Sequence, residues 1–374
     1  MGAVHATLTT RSREVLVSGL QSQGPRDFTL LDELYLSQRA RRRAKTLLKA
    51  SRWDETGALF ESEADRVPVE VAAPIWLSAI SAYRRGDRPA AALRCLVRLQ
   101  ELTPKDAPHA ATAHIEQAAV FCDLGELGRA VEASLVAVEV APSREVEAVA
   151  LDLQVGALLL GGNVAEAEKA VDHMRRIAAR LGPPAQVASQ FRVGQILRLQ
   201  GDLSGAARAL GKAQNAVPVR EETAGSHGEI ELALAELSFV QSDLDETEGH
   251  LAEAEAAFQV AGQRQGLFRT EALRLDAALD RGVPVVASSL DTAVDYARDR
   301  QLALLEAELR TTRGKTRSKG GPDFARAIEL AENAGAVLIE GRARLARRTW
   351  GEAHDDAERM RWCLESDRVL VARL

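Results

Sequence analysis

The sequence predicts an all-α chain built as a solenoid of about eight or nine stacked helical hairpins, and three observations predict it. Hydrophobic residues make up 46% of the chain but aromatics only 4%, so Ala, Leu and Val must form the core. These suit closely packed helices better than a sheet of β-branched and aromatic residues. Turn residues also recur. With Arg52, Gly86, Gly125, Gly162, Gly201, Ser242 and Gly282 as turn centres, successive spacings are 34, 39, 37, 39, 41 and 40 residues, a period near 39. Finally, all twelve prolines can be placed outside helix interiors, in connectors or at second-helix starts such as Pro89 and Pro322. A proline inside a helix would remove a backbone hydrogen bond. At 374 residues the chain exceeds what one compact core usually supports, and a repeat array answers this by burying its core between neighbours.

In order along the chain, residues 1–28 read as an irregular lead-in: a short amphipathic run, Ser12 to Leu20, then the turn-rich QSQGPRD. Residues 29–336 hold the repeats. From Thr29 a helix carries Leu30, Leu31, Leu34, Tyr35, Ala44, Leu47 and Leu48 on one face and a basic far face, and its partner runs from Trp53 to about Arg66, halting before Pro68. The second hairpin, beginning at Ile75, turns at Gly86-Asp87 and places Pro89 in the first turn of its second helix, where the missing N–H costs nothing. The third, FCDLGELGRAVEASLVAVEVAP at its heart, turns at Gly125 and is stopped by Pro142. The fourth turns at Gly162-Asn163, the fifth at Gly201-Asp202, the sixth at Ser242-Asp243 and the seventh at Gly282. The eighth reads as a helix ending near Arg313, a polar loop GKTRSKGG, and a helix after Pro322. Residues 337–374, with Trp350, Met360, Trp362 and VLVARL, read as capping helices, because a stack needs a divergent end.

The units resemble tetratricopeptide repeats, whose pattern sets a large residue, Leu-Gly and an aromatic in the first helix, then Ala, a large apolar residue, Ala and Pro. The matching positions of the third unit hold His114, Gln117, Ala118, Phe121, Ala130, Ser134, Ala137 and Pro142. Those of the fifth hold Gln190, Val193, Gly194, Leu197, Ala206, Leu210, Ala213 and Pro218. The small positions match well and the large aromatic ones poorly. Ala118 or Gly194 and Ala130 or Ala206 are where two antiparallel helices come closest, so a larger side chain would force them apart. The period near 39 is similar to the longer-helix arrays that act as sensor arms in bacterial signalling proteins and transcriptional activators. The resemblance spans roughly residues 30–365 and implies a right-handed superhelix that works as a protein-interaction scaffold or adaptor.

Bulk charge sets no partner: the net charge is -6 and the pI about 5.8. Cys95, Cys122 and Cys363 lack metal or disulfide spacing, so the expected home is a reducing compartment, the cytoplasm. No signal-peptide core, myristoylation motif (Ala6 stands where Ser or Thr is needed) or membrane-length apolar run is expected to anchor the chain. Gly314-Lys315-Thr316 imitates the end of a phosphate loop, but Leu309 stands where glycine is needed and the preceding residues read as helix, so a solvated basic loop is expected. His109, His114, Glu116 and Cys122 fail metal spacing, and Glu352, His354, Asp355 and Asp356 read as a solvated face. With no nucleophile–base arrangement, enzyme activity, cofactor and metal are not expected.

Two surfaces remain. The basic segment Arg39, Arg41, Arg42, Arg43, Lys45, Lys49 and Arg52 follows a stretch that resembles the helix-turn-helix of LuxR-type regulators, although QSQGPRD is too long a connection. DNA binding by this hairpin in a ligand- or peptide-responsive regulator is the alternative function, while a solvated or protein-docking face is the expectation. The resemblance implies a concave groove lined by first helices. By register its walls are Trp76, Ile80, Tyr83 and Arg84 in unit two, Ile115 and Cys122 in unit three, and Arg192, Gln195, Arg198, Glu236, Phe239 and Asp276 in units five to seven. The expected partner is a protein or peptide, held as a helix in the groove by apolar contacts near the N-terminal end and Arg192/Arg198 near the middle. The carboxylate clamp of chaperone-tail binders is missing, since Thr112, Ile115, Glu116 and Ala119 stand at its positions. Nucleic acid and membrane are not the expected partners, and self-association into a homo-oligomer stays open.

Overall fold

The computed structural model describes residues 36–350 except 103–108, 219, 284, 286–287 and 318, and the readings made for 1–35 and 351–374 lie outside the described residues. Among the described residues seventeen α-helices follow one another: α1 Gln38–Lys49, α2 Trp53–Ala64, α3 Val69–Arg85, α4 Pro89–Leu102, α5 Ala110–Leu124, α6 Leu127–Glu139, α7 Arg144–Leu160, α8 Val164–Ala178 and α9 Pro183–Leu199. Then come α10 Leu203–Ala216, α11 Ala224–Val240, α12 Leu244–Ala261, α13 Arg264–Asp280, α14 Ser288–Asp299, α15 Ala303–Thr316, α16 Gly321–Ala334 and α17 Val337–Trp350. They pair as eight antiparallel hairpins, here units 1 to 8, and α17 opens a ninth.

Local chemistry sets the hairpins. Each turn within units 1 to 7 contains one residue in the left-handed region: Ser51, Asp87, Gly125, Gly162, Gly201, Ser242 and Gly282. Glycine, and less easily Asp or Ser, can sit there, which is why the turns were readable in the sequence. At the hairpin crossings Ala118, Ala130, Ser134 and Ala137 are fully buried, as are Ala206, Leu210 and Ala213. A Cβ on Gly194 would lie 2.6 Å from Leu210 Cγ, so α9 and α10 touch at a point where only glycine fits.

Two expectations need correction. Pro74 lies inside α3, because that helix starts at Val69 rather than Ile75; its carbonyl accepts the Ser78 hydroxyl at 2.8 Å. Gly314-Lys315-Thr316 is the last turn of α15, not a loop, and Gly314 lies flat against Phe324, with 2.6 Å between a built Cβ and Phe324 Cε1.

Successive first helices touch one another along the stack, whereas successive second helices barely meet. The stack therefore curves with its first helices inside. The curvature is tight enough for the chain to meet itself after five units. Gln265, opening unit 7, and Tyr296 bond to Asp87 in the unit 2 turn; α15 of unit 8 touches α5 of unit 3; α17 touches α7 of unit 4.

Candidate functional site

The inner surface is built from charges that recur at fixed spacing on the first helices. In α5, AATAHIEQAAVFCDL, the only acids are Glu116 and Asp123, seven residues apart and so on one face. The same spacing sets Glu229 and Glu236 on α11, Arg269 and Asp276 on α13, and Glu308 and Lys315 on α15.

Each charge is answered about one repeat later by its opposite. Arg84 Nε donates to Asp123 Oδ2 at 2.9 Å, 39 residues on, and Arg84 Nη1 to Glu116 Oε2 at 3.1 Å. Arg192 Nε and Nη2 grip Asp152, 40 residues earlier, at 2.7 and 3.2 Å, and Arg192 Nη1 donates to Gln195 Oε1 at 3.0 Å. The guanidinium passes over Gly156, whose built Cβ would be 3.1 Å from Nη2. Arg198 faces Glu236 at 3.9 Å. Arg269 is held by three carboxylates: Glu229 at 3.2 Å, Glu236 at 3.7 Å and Glu308 at 3.7 Å. Lys315 Nζ donates to Asp276 Oδ2 at 2.7 Å, 39 residues away, while Asp276 Oδ1 has no hydrogen-bond partner among the described residues.

Burial shapes these charges. Burial pushes the carboxyls of Glu116 and Asp123 above their ordinary range, and the single Arg84 between them only partly offsets it. Burial likewise raises Glu308 against the pull of Arg269 and Arg342. Burial also acts to raise Glu236, but Arg198, Arg342 and Arg269 together hold it below the usual carboxylate range. The ladder is therefore acid-rich near Arg84, whereas acids and cations balance around Glu236.

The structure divides the residues expected on the groove. Trp76, Ile80 and Tyr83 are buried in the core of units 1 to 3, and Ile115 in that of units 3 and 4. Those four are corrected from groove wall to core; the Tyr83 hydroxyl donates to Glu61 at 2.7 Å. Their helices are buried on several sides, since each inner helix also meets its own partner and both neighbouring units, and an apolar residue there has more than one buried face to occupy. Arg84, Arg192, Gln195, Arg198, Glu236, Phe239 and Asp276 are half-buried on first helices. Cys122 is half-buried beside Asp123, and burial pushes its thiol up to about 12, far from a reactive thiolate. Sequence reasoning missed Glu116, Asp123, Asp152, Glu229, Arg269, Glu308 and Arg342. The signal was there: opposite charges one period apart.

The basic segment forms α1. Arg39, Arg42, Arg43 and Lys49 are exposed, while Arg41 and Lys45 are half-buried and have protein partners. At the C-terminal end of α15, Arg313 and Arg317 bind Asp323 and Asp291. His114 Nδ1 bonds to Gln117 Oε1 at 3.1 Å while Glu116 faces Arg84, so these side chains do not converge. Among the described residues, no helix is long and apolar enough to cross a membrane.

No family model matches the chain, and no curated protein matches it in sequence. Solved structures do. The chain is similar to a Rap protein complexed with Competence and Sporulation Factor, with a TM-score of 0.57 and 13% identity over 88% of this chain and 90% of that one. It also aligns with the apo form of the quorum sensor NprR from B. thuringiensis (TM-score 0.46, 10% identity, 79% and 89% covered). A third is the P58(IPK) TPR domain (TM-score 0.27, 14% identity, 90% and 98% covered). The chain is an all-α solenoid of the tetratricopeptide-repeat type, and the likeness to Rap extends over nearly its whole length.

Proposed function

We propose that the chain is a binding scaffold that holds a peptide segment of a partner protein in the groove of its superhelix. The observation that carries this reading is the charge ladder of the inner wall: half-buried, oriented ions on successive first helices, along the inside of the curved stack. Rap, the solved structure of like fold, is itself seen complexed with a factor. With Trp76, Ile80 and Ile115 in the core, apolar anchors at the N-terminal end fall away, and with them the apolar face of a docked helix. An extended segment whose backbone and charged side chains exchange hydrogen bonds with the wall fits better.

The test is capture of partners by tagged protein, comparing wild type with Phe239→Ala and Gln195→Ala on the inner wall and Leu135→Asp on the outer face. A partner lost with both inner variants and kept by the outer one is the expected result. Loss only on changing Leu135 would place binding on the convex side and refute the groove.

A second reading is favoured by one observation. Arg39, Arg42, Arg43 and Lys49 fall on one face of α1, the helix has no acid in its first turn, and no ion pair to these four is present among the described residues. Some exposed arginines elsewhere pair locally, as Arg98 with Glu101 and Arg129 with Glu126, whereas Arg176, Arg180 and Arg208 have no ion pair among the described residues. Such a stripe fits the phosphate backbone of nucleic acid, as part of a regulator whose groove senses a ligand. Duplex DNA binding that weakens steeply with salt and vanishes in Arg39→Gln/Arg42→Gln/Arg43→Gln would support it; salt-insensitive or absent binding removes it.

A further inference from the structure

The convex side of the stack carries an apolar patch. Seven large apolar side chains are exposed among the described residues, and three of them, Val260, Val283 and Trp350, stand singly on units 6, 7 and 9. The other four share two neighbouring second helices: Val97 on α4, and Leu135, Val136 and Val140 on or just after α6, each between 39% and 50% exposed. Single exposed apolar residues are ordinary on any surface, but four on adjacent helices make a patch. By repeat register Val97 and Val136 lie level with each other, each eleven residues past its turn glycine, Gly86 and Gly125. Between α4 and the turn that leads into α6 runs an open groove of about 500 Å3, lined by Leu93, Arg94, Val97, Leu124 and Glu126.

The two helices carry opposite charge. The outer face of α4 adds Arg94 and Arg98 to Val97, and that of α6 adds Glu132 and Glu139 to its apolar residues, all four exposed. Arg98 is taken up along its own helix by Glu101, and Arg129 at the start of α6 by Glu126. Arg94, Glu132 and Glu139 have no ion pair among the described residues. What is left over is one cation on α4 and two acids on α6, and by the same register Arg94 lies within a residue of the level of Glu132.

We propose that this patch is the interface of a symmetric homodimer, covered by a second copy of the chain. The charges pick the axis. A two-fold axis running parallel to α4 and α6 lays α4 of each copy on α6 of the other, so that Arg94 meets Glu132 twice, Val97 meets Val136 twice, and Leu135 comes down beside them. An axis across the helices would set α4 on α4 and α6 on α6, bringing like charges together. Helices of 14 and 13 residues are about 20 Å long, and two of them about 10 Å apart present roughly 400 Å2 per copy. That is about half of one side of a standard interface, so the dimer is weak, with a dissociation constant on the order of tens of micromolar. The first helices face away from this contact, and the inner wall stays open in both copies.

Sedimentation velocity on the full chain, from about 1 to 300 μM, reads the dimer directly. The wild-type mean mass should climb with concentration from 40.4 kDa toward twice that value. Leu135→Asp should hold it at the monomer throughout. Arg94→Glu sets like charges face to face twice per dimer and should weaken association about tenfold or more, as should Glu132→Arg. The exchange Arg94→Glu/Glu132→Arg should recover most of what either loses. These side chains are exposed, so every variant should keep the wild-type melting midpoint. Wild type at 40.4 kDa over the whole range would overturn the proposal, and so would a dimer indifferent to Leu135→Asp. A dimer that Arg94→Glu tightens, or that the double exchange fails to restore, would overturn the pairing of α4 with α6. No ligand enters the measurement, so it fails or succeeds apart from the groove reading.

Discussion

Gly194→Ala should destabilise the protein, although alanine is the better helix former. Removing an exposed helical glycine gains about 1 kcal/mol. Here the new methyl would lie 2.6 Å from Leu210 Cγ and 2.7 Å from Cδ2, about an ångström inside ordinary contact. Leu210 has nowhere to go, being fully buried with Val187, Ala206, Ala213, Ile230 and Leu237. Overpacking of this kind costs about 1–3 kcal/mol, so the net change should be a loss of roughly 1 kcal/mol. Leu210→Ala alone should cost about 2–5 kcal/mol through lost burial and a cavity. In that background the clash is gone, and Gly194→Ala should stabilise by about 1 kcal/mol. The sign of one substitution thus reverses with its neighbour, a coupling near 2 kcal/mol. Urea unfolding of the four proteins, followed by circular dichroism, measures it; slopes must agree among them for the midpoints to be compared, since repeat arrays can lose two-state behaviour. If Gly194→Ala stabilises both backgrounds equally, α9 and α10 do not meet where the structure puts them.

Ala130→Leu should lower stability by about 1–3 kcal/mol, because Ala130 is buried at the α5–α6 crossing beside Phe121 and Ala118; an unchanged melting midpoint would refute the repeat register. Arg84→Met leaves Glu116 and Asp123 facing each other without a cation, and should cost about 2–4 kcal/mol at neutral pH, discounted for the partial exposure of Asp123. Both carboxyls already lie above their ordinary range, so the deficit should shrink as pH falls and they protonate; a deficit independent of pH would mean lost packing rather than lost charge. Within unit 6 the Glu231 bond raises the His250 pKa, while burial pushes Glu231 up but bonds from His250 and Gln214 hold it below its ordinary value. The pair's stabilisation should therefore be present at mildly acidic pH, fade as pH rises through the raised His250 pKa, and fade again as pH falls through that of Glu231, a profile that His250→Gln should flatten in pH-dependent melting.

The hairpins were legible because their turns need a left-handed residue, and that demand leaves Gly, Asp or Ser at fixed intervals. Pro74 escaped because a proline early in a long helix looks like a boundary. The groove was only half legible. Polar residues such as Arg192, Arg198 and Glu236 can be placed from one sequence, since burying them in the core would cost too much. Trp76 and Ile80 on α3 and Ile115 on α5 cannot be placed that way: α5, for one, is buried on its partner, both neighbouring first helices and α15 where the chain meets itself, so apolar residues cover nearly its whole circumference. The contact where the chain meets itself was invisible for a different reason. Asp87 and Tyr296 are 209 residues apart, and nothing in either segment announces the other.

The ladder sets conditions on any ligand. Its ions largely satisfy one another, so the empty groove carries little unpaired charge, and a partner gains only what remains after it has displaced existing bonds. Affinity must then come from groups that reach spare valences rather than from net attraction. The cluster around Arg84 offers one, where one arginine serves two carboxyls, and a donor there would bind without breaking a rung. Asp276 Oδ1 has no partner among the described residues but is buried from solvent, so it is not open to a ligand as the groove stands.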